Sequence, residues 1–464
     1  MPTRPNAVNL TSSSVDILNA IRNSATANYR DYVPAAQPTQ DSIREIGAVI
    51  MQFPALQNEF LSALVNRIGR VMITSKMYSN PWSVFKRGTL ALGESIEEVF
   101  VNLARPFDFN PDTAEKRIFR REFPDVRVTF HKLNYQKFYK VTISQQQLRT
   151  AFLAWSGISD LVTRIIDSLY TAMNYDEYIT MKYMICRAIL NGGIGGYKVS
   201  DFTSNSNLGD LIASVRGTVN NMEFLSNKYN SAGVMNASGR GDVYCFIDTM
   251  LDARVDVNVL AAAFNMDRAT FAGRRILIDG WANHDTARLG ELFGNDPEYA
   301  AFTETELGVL AGIGAVVADR DIWMVFDTLL EMENINNGEG LYWNYWLHAW
   351  RTFSMSPFAN AVAFTKDNFS VTGVEIVMAD GNSIPAGYTI PKGGSAQFKA
   401  NVSGTGVYND AVTWNVYQAE ESGTYIMGGT VRVATNETAS AIVIRATSIA
   451  DPTQLVQVSI AIGS

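Results

Sequence analysis

Among the residue types that often serve in catalysis or metal binding, cysteine and histidine are the scarcest in this 464-residue chain, which has two cysteines and three histidines. Cys186 and Cys245 lie far apart in apolar surroundings, which favours buried free thiols and gives no support to a disulfide framework. With so few imidazoles, histidine-based catalysis has few candidates. His131 in a strand-like segment and His348 among aromatics are both more typical of structural residues.

Long apolar runs and basic runs are also missing. No uninterrupted apolar run approaches the ~20 residues of a transmembrane helix, and the N-terminal sequence lacks the apolar segment of a signal peptide. The net charge is -8, the isoelectric point is about 5.1 and no cluster of Lys and Arg stands out. We therefore expect a chain that folds in the cytosol and carries no nucleic-acid-binding module.

The sequence contains none of the usual enzyme motifs. The segment "GGIGG" follows a helical pattern and lacks the GK[ST] ending of a phosphate loop, so a flexible helix end or hinge fits it better. Asp279, His284 and Asp285 in "DGWANHD" could form a metal site, but a polar turn after a strand fits the spacing better. We predict no catalytic, cofactor-binding or metal-binding residue, and no enzyme.

Apolar periodicity and turn signals divide the chain into segments, in keeping with the two or three domains expected at this length. We expect a short helix within 12–30, a helix over about 54–69, strands over about 71–143, a long helix over about 145–190, a mixed α/β region over about 200–340 and short strands from 370 to 464. The long helix has apolar residues, Trp155 among them, at helical spacing, and Gly157 is its candidate kink. The last segment indicates a small all-β sandwich.

A run of mixed charges interrupts the strand-rich segment. It is compatible with a solvated surface or with a protruding loop whose charges pair with a neighbouring subunit, and the composition alone favours the solvated surface. The charged residues are Glu115, Lys116, Arg117, Arg120, Arg121 and Glu122.

Several long segments share one resemblance. They include "NPWSVFKRGTLALGESIEEVF", "IFRREFPDVRVTFHKLNYQKFYKVTI", "RVDVNVLAAAFNMDR" and "GLYWNYWLHAWRTFSMSPFANAVAF". In collinear order, from about residue 15 to residue 365, they resemble the major capsid protein of small podoviruses, the short-tailed phages of Gram-positive bacteria with protein-primed linear genomes. The resemblance implies an α+β chain with the tailed-phage and herpesvirus capsid fold.

That fold supplies expected roles for the segments. Within a shell domain at 1–365, the family implies an N-terminal arm, an extended β-loop within about 71–143, a peripheral domain with a spine helix at about 145–190, and an axial domain at about 200–340. The charged run would then lie on or beside a loop that reaches over a neighbour. Pairing between subunits thereby becomes the favoured interpretation of those charges.

The C-terminal segment carries a second resemblance. "VTGVEIV", "AVTWNV" and "GGTVRVATN" resemble the bacterial immunoglobulin-like domain of group 2, with Trp414 as its expected core tryptophan. For residues 370–464 this implies an all-β immunoglobulin-like sandwich displayed outward, with weak binding to cell-surface or mucosal glycans.

Together the resemblances imply a self-assembling shell protein. We expect pentamers and hexamers that form an icosahedral or prolate phage head around double-stranded DNA, in a virion assembled in the host cytoplasm. The implied partners are copies of the chain, a separate scaffolding protein, a portal protein at one vertex and packaged DNA held without sequence specificity; no cofactor is implied. The alternatives are an encapsulin-type compartment, which would hold an enzyme cargo, and a bacterial surface adhesin.

The aromatic segment at 341–364 contains three tryptophans, two tyrosines and three phenylalanines. Taken alone, it is compatible with a ligand-stacking site, a membrane anchor or a core. Asn344, His348 and Arg351 argue against a membrane span, and the lack of nearby chemistry argues against a ligand site. We predict packing that fastens parts of one subunit together or to a neighbour, through Tyr342, Trp343, Trp346, Trp350 and Phe353.

Overall fold

The computed structural model describes residues 14–71, 78–101, 103–104, 126–153, 157–257, 274–421 and 423–463. The chain divides into two units, each built from three separate stretches. The first unit comprises Met1–Ser95, Lys132–Thr180 and Val325–Phe353, and the second comprises Ile96–His131, Met181–Met324 and Ser354–Ser464. No helix among the described residues is both long and apolar enough to cross a bilayer.

Helices and strands of the described residues follow one another in an α+β order. The helices are α1 (Ser14–Ser24), α2 (Ala27–Tyr32), α3 (Gln40–Gln52), α4 (Pro54–Val71), α5 (Gln145–Leu153), α6 (Gly157–Leu190), α7 (Leu208–Met222), α8 (Thr249–Val255), α9 (Thr286–Phe293) and α10 (Glu304–Ala311). The strands are β1 (Lys86–Thr89), β2 (Ile96–Val101), β3 (Val126–His131), β4 (Tyr135–Ser144), β5 (Gly195–Lys198), β6 (Val243–Asp248), β7 (Arg275–Ile278), β8 (Ile313–Asp319), β9 (Trp323–Asn337), β10 (Tyr342–Met355), β11 (Ala361–Thr365), β12 (Ser370–Met378), β13 (Thr389–Pro391), β14 (Ser395–Thr405), β15 (Val412–Tyr417), β16 (Tyr425–Met427), β17 (Thr430–Arg432), β18 (Ala441–Ser448) and β19 (Leu455–Gly463).

The segment expected as one helix within 12–30 forms two helices, α1 and α2. The break occurs because the side chain of Thr26 accepts a hydrogen bond from the backbone N–H of Tyr29 at 3.3 Å, which caps a new helix. Farther on, Pro54 occupies the first position of α4, where its missing N–H removes no helical hydrogen bond.

Two helices, α5 and α6, occupy the range expected as one long helix. A Cβ at Gly157, the first residue of α6, would lie 2.2 Å from the backbone carbonyl oxygen of Ala151 in α5. Only glycine fits where the chain comes this close to α5, so the candidate kink marks the start of a separate helix. Trp155 lies between α5 and α6, outside the described residues.

The first unit packs its helices and a four-stranded sheet around one apolar core. The sheet has the strand order β1-β9-β10-β4, with β1 parallel to β9 and β10 antiparallel to β4. Buried side chains from the N-terminal helices, α5, α6, β4 and β10 fill that core. Leu64, Leu148 and Tyr345 are examples of these fully buried side chains.

The second unit contains a five-stranded sheet with the order β5-β11-β8-β6-β7. Every residue of β8 is buried, and α7 covers the sheet with Leu211, Val215 and Val219, which recur at helical spacing. The segments "DVYCFIDT" and "RRILIDG", which we expected to be strands, are β6 and β7. Most of "DVNVLAAAFNM" lies outside the described residues.

The C-terminal part of the second unit consists of two four-stranded sheets. Their strand orders are β12-β14-β17-β16 and β13-β19-β18-β15. Alternating residues, such as Ile442, Ile444 and Ala446 of β18, point into a shared apolar core, against which the half-buried Trp414 packs. We call residues 370–464 the C-terminal β-domain.

Candidate assembly surfaces

Strands β2 and β3 pair as a two-stranded antiparallel sheet, which we call the ribbon (Ile96–Val101 and Val126–His131). The side chains on one of its faces are largely apolar and about half exposed. The exposed fractions are 52% for Val99, 54% for Val101, 47% for Val126, 43% for Val128 and 59% for Phe130. In the register of the ribbon, Val99 lies opposite Val128 and Val101 opposite Val126, so these side chains form one continuous strip.

Polar contacts fix the other face of the ribbon to the rest of the second unit. His131 is buried, and its Nδ1 lies 2.7 Å from Ser354 Oγ while its Nε2 lies 3.1 Å from Glu98 Oε2. Ser356 donates a hydrogen bond to the other oxygen of Glu98 at 2.7 Å. An isolated two-stranded ribbon is marginally stable in water, so these contacts hold it in place.

Two further contacts fix the same face. Phe100 stacks on Phe358 with ring centroids 5.5 Å apart, and the guanidinium of Arg127 donates hydrogen bonds to the carbonyls of Ala232 and Gly428. One side of the ribbon is therefore committed to its own subunit, whereas the apolar strip on the other side is about half exposed.

The charged residues predicted to contact a neighbour follow β2 and precede β3 in the chain. Glu115, Lys116, Arg117, Arg120, Arg121 and Glu122 all lie outside the described residues. Their role in pairing stays a prediction.

The aromatic segment forms β10 and the strand after it, and its side chains alternate between two faces. Trp343 is 4% exposed and points into the core of the first unit, where its Nε1 donates a hydrogen bond to Asn58 Oδ1 at 3.3 Å. Phe353 is also buried, whereas Tyr342 is half-buried. Strand periodicity thus divides the predicted core residues between the two faces.

The outer face of β10 carries the half-buried Trp346, His348 and Trp350. The ammonium of Lys140, opposite Trp346 on β4, lies 5.7 Å from the centroid of that ring. The ring of Phe138, 59% exposed, lies 5.8 Å from that of His348. The outer face of this sheet is therefore aromatic and partly open to solvent.

An ion network in the first unit joins two buried and two partly buried side chains. Glu177 is 2% exposed and pairs with Lys86 at 3.1 Å and with Arg351 at 2.9 Å. Asp327 pairs with Lys86 at 2.5 Å and with Arg351 at 2.7 Å. Burial opposes the charge of Arg351, but Glu177 and Asp327 raise its pKa above the ordinary value. Two cations and two carboxylates balance, so the network joins strands and helix without a net buried charge.

The histidine and carboxylates of "DGWANHD" are occupied by structural contacts. Asp279 pairs with Lys182, Asp285 accepts a hydrogen bond from the backbone N–H of Arg288 at 2.9 Å, and His284 Nε2 lies 2.9 Å from the carbonyl of Trp281. Burial lowers the pKa of His284 to about 4, so its ring is neutral at pH 7. Within the described ranges, no group of three His, Cys, Asp or Glu side chains could hold a metal ion.

Sequence reasoning did not identify the apolar strip or the contacts behind it. The signal was present, because Val99 and Val101 alternate with Glu98 and Phe100, and Val126 and Val128 alternate with Arg127. With apolar residues on both faces of β2, the pattern alone could not tell which face is exposed.

Comparisons with known proteins agree with the resemblance noted in the sequence. The model of the Phi29-like phage major capsid protein family matches residues 18–365. The major capsid protein of Bacillus phage B103 is 37% identical over 428 residues, covering 92% of this chain and 88% of that protein. The major capsid protein of Streptococcus phage Cp-1 is 26% identical over 366 residues, covering 75% of this chain and 93% of that protein.

A structural comparison supports the fold. A chain in the structure of head fiber and inner core protein gp22 of native bacteriophage P68 is 16% identical, with a TM-score of 0.50 over 63% of this chain and 86% of that chain. At this identity the likeness shows the fold alone. The expected α+β capsid fold of tailed phages is confirmed.

Proposed function

Because this chain belongs to the family of Phi29-like phage major capsid proteins, we propose that its copies form pentamers and hexamers that close into a phage head around double-stranded DNA. It is a structural component of the virion capsid, made in the host cell, and its relatives are shell proteins and not enzymes. The observation that carries the proposed assembly is the exposed apolar strip of the ribbon.

The partner of the apolar strip is a second copy of this chain. Each of its five apolar side chains is already about half covered, so burying the remainder contributes only ~1 kcal/mol per residue. Contacts of this strength are weak singly. Repeated by symmetry around a closed shell, they favour the assembled state without any covalent bond.

The charged run between β2 and β3 extends this contact. Its Arg, Lys and Glu side chains pair with charges of the neighbouring subunit, so assembly depends on ionic strength.

The whole chain carries a net charge of -8, which makes the shell a poor binder of DNA and allows the genome to be packed and released. A scaffolding protein guides assembly, and a portal protein occupies one vertex.

The C-terminal β-domain is immunoglobulin-like and is displayed on the outside of the head, where it binds host-surface glycans weakly. Two four-stranded sheets around one apolar core, with Trp414 packed against that core, support this assignment. The shell domain at 1–365, with its extended loop, spine helix and axial domain, forms the wall beneath it.

Assembly is tested by removing the apolar character of the strip while keeping its shape. We expect Val99→Thr combined with Val128→Thr to lower the fraction of protein in particles, measured by sedimentation velocity and electron microscopy, while circular dichroism of the subunit stays unchanged. Threonine keeps the β-branched shape but adds a hydroxyl that resists burial. Val84→Thr, at another exposed valine, is the matched control. Normal particle yield from the double variant would contradict the role of the strip.

A second variant tests the proposed charge pairing between subunits. In it, both Arg120 and Arg121 are replaced with Glu. We expect impaired assembly of a folded subunit, because attractive pairs become repulsive. Arg149→Glu with Lys392→Glu changes the net charge equally at exposed sites elsewhere and should assemble normally. Normal particles from the Arg120/Arg121 variant would show that these charges are merely solvated.

A further inference from the structure

A cleft of about 730 Å³ lies within the second unit, between β5, α7 and the C-terminal β-domain. Its volume falls in the ~300–1,000 Å³ range of small-molecule sites. Strand β5 contributes Tyr197 and Lys198 to the lining, and Phe369, Asn409 and Ile449 also line the cleft.

The floor of the cleft is one face of α7. Ala213, Ser214, Gly217, Thr218 and Asn221 recur at helical spacing and line it. Gly217 has no side chain, and the other four side chains are small or of medium length. A Cβ placed on Gly217 would meet no atom within 4 Å. The space above this helix is therefore open.

The charge of the cleft is opposite to that of the whole chain. Lys198 and Lys228 line it, and none of the described residues that line it is a carboxylate, although the chain carries a net charge of -8. Lys198 donates a hydrogen bond to Asn368, whereas the ammonium of Lys228 has no hydrogen-bond or ion-pair partner among the described residues. A local excess of positive charge in an acidic protein favours an anionic ligand.

Aromatic rings and amides complete the lining. Tyr197 is 51% exposed, and its ring is supported from behind by Phe364, with centroids 5.8 Å apart. Tyr229 and Phe369 add two more rings to the lining. A sugar ring presents an apolar face that packs on an aromatic ring, and its hydroxyls suit hydroxyl and amide groups such as those of Ser214 and Asn221, which also line the cleft.

We propose that this cleft binds an acidic saccharide, with a sugar ring on Tyr197 and an acidic group at Lys228 and Lys198. The inference deepens the proposed function, because it assigns the glycan contact of the displayed domain to a defined site and a defined charge. The acidic group is either a carboxylate of a uronic acid or a phosphate diester that joins sugars. Both present oxygen acceptors to an ammonium.

The test uses the full-length protein, as subunits and as assembled shells, on immobilised polymers. The probes are polygalacturonate, a mannan that carries phosphate diesters between its sugars, neutral dextran and double-stranded DNA, and binding is followed by surface plasmon resonance at two salt concentrations. We expect one of the two acidic polysaccharides to bind, more weakly at high salt. Preference between them identifies carboxylate or phosphate as the acidic group. Binding to neither, equal binding to dextran, or binding to DNA at equal strength would overturn the proposal.

Two variants locate the binding in the cleft. Gly217→Phe fills the open space on the floor, and Lys228→Gln removes a charge; each should weaken binding about tenfold or more. Gly209→Phe, on the same helix at a site that is also open but does not line the cleft, and Lys392→Gln are the matched controls. Unchanged binding by both cleft variants would place the ligand elsewhere and overturn the assignment.

The same measurements separate failure of the inference from failure of the proposed function. If subunits bind the polymer but shells do not, the cleft binds saccharide and the outward display is wrong. If shells form and neither form binds, the assembly function stands and the saccharide site is wrong. Electron microscopy of the Gly217→Phe protein should show normal shells.

Discussion

At the scale of single residues, the carboxylate of Glu437 is a buried charge of the C-terminal β-domain that is held by several hydrogen-bond donors. It is fully buried and accepts hydrogen bonds from the hydroxyl of Thr424 and from the backbone N–H groups of Glu420, Thr438 and Ala439, the last three at 3.0–3.1 Å. Burial by itself raises the pKa of Glu437, but these donors outweigh it and lower the pKa to about 2. The anion, and not the acid, is therefore the form that the fold requires.

A neutral side chain at this position should loosen the C-terminal β-domain. In Glu437→Gln the new NH₂ group faces backbone donors instead of accepting from them, which costs ~1–3 kcal/mol. We expect faster hydrogen–deuterium exchange of backbone amides in 412–463 at pH 7. Glu375→Gln, the same change at an exposed site of the same domain, should leave exchange unchanged.

The pH dependence of this effect has a definite sign. Because the folded pKa of Glu437 lies below its ordinary value of 4.5, its stabilisation is complete above about pH 4.5 and is lost as the pH falls toward 2. Exchange rates, corrected for intrinsic pH effects, should therefore rise in the natural protein over that window and converge on those of Glu437→Gln. A difference that persisted at pH 2 would contradict a charge-based effect.

At the scale of elements, β10 shows how one strand serves a core and a surface. Trp343 and Trp350 are both tryptophans of this strand, yet one is buried in the first unit and the other is half-buried on the outer face of the sheet. Loss of a buried tryptophan leaves a cavity, whereas loss of a half-buried one removes surface contact only.

Alanine at the two positions should therefore give different results. We expect Trp343→Ala to lower the free energy of unfolding by ~3–5 kcal/mol, measured by urea unfolding of the subunit. Trp350→Ala should cost the subunit less than half as much but reduce particle yield, since an exposed aromatic face is available to a neighbour. Equal losses of subunit stability, with no effect of Trp350→Ala on assembly, would show that both tryptophans serve only the core.

The sequence allowed the fold to be predicted further than the sites. Long segments such as "NPWSVFKRGTLALGESIEEVF" predicted the capsid fold through resemblance, and compact apolar runs predicted β6 and β7. The faces of β10 could not be assigned, because aromatics occupy both and a period of two does not say which side is inside. The burial of Arg351 was equally hidden, since its partners Glu177 and Asp327 are brought to it only by the fold.

At the scale of the whole molecule, the C-terminal β-domain contacts the rest of the second unit at a few defined points. Asn409 donates a hydrogen bond to the carbonyl of Lys228 at 2.5 Å, and Arg127 of the ribbon reaches the carbonyl of Gly428. A Cβ on Gly196 of β5 would lie 2.1 Å from the carbonyl oxygen of Val407, which follows β14 in the chain. Only glycine at position 196 therefore allows β5 to come this close to Val407. The domain is therefore fitted against β5, the edge strand of the five-stranded sheet.

Removal of residues 370–464 tests whether the shell needs the contacts between the C-terminal β-domain and the rest of the second unit. We expect the shortened chain to assemble into particles of normal size by electron microscopy, because the family match ends at residue 365 and the apolar strip of the ribbon remains. Its subunit should unfold at a lower temperature, by ~2–4 °C for each kcal/mol of lost contact, since β5 becomes an uncovered edge. Binding of acidic saccharide should vanish, because the part of the lining formed by Asn409 and Ile449 is gone. Failure to form particles would instead make the C-terminal β-domain part of the frame that holds the ribbon in place through Arg127.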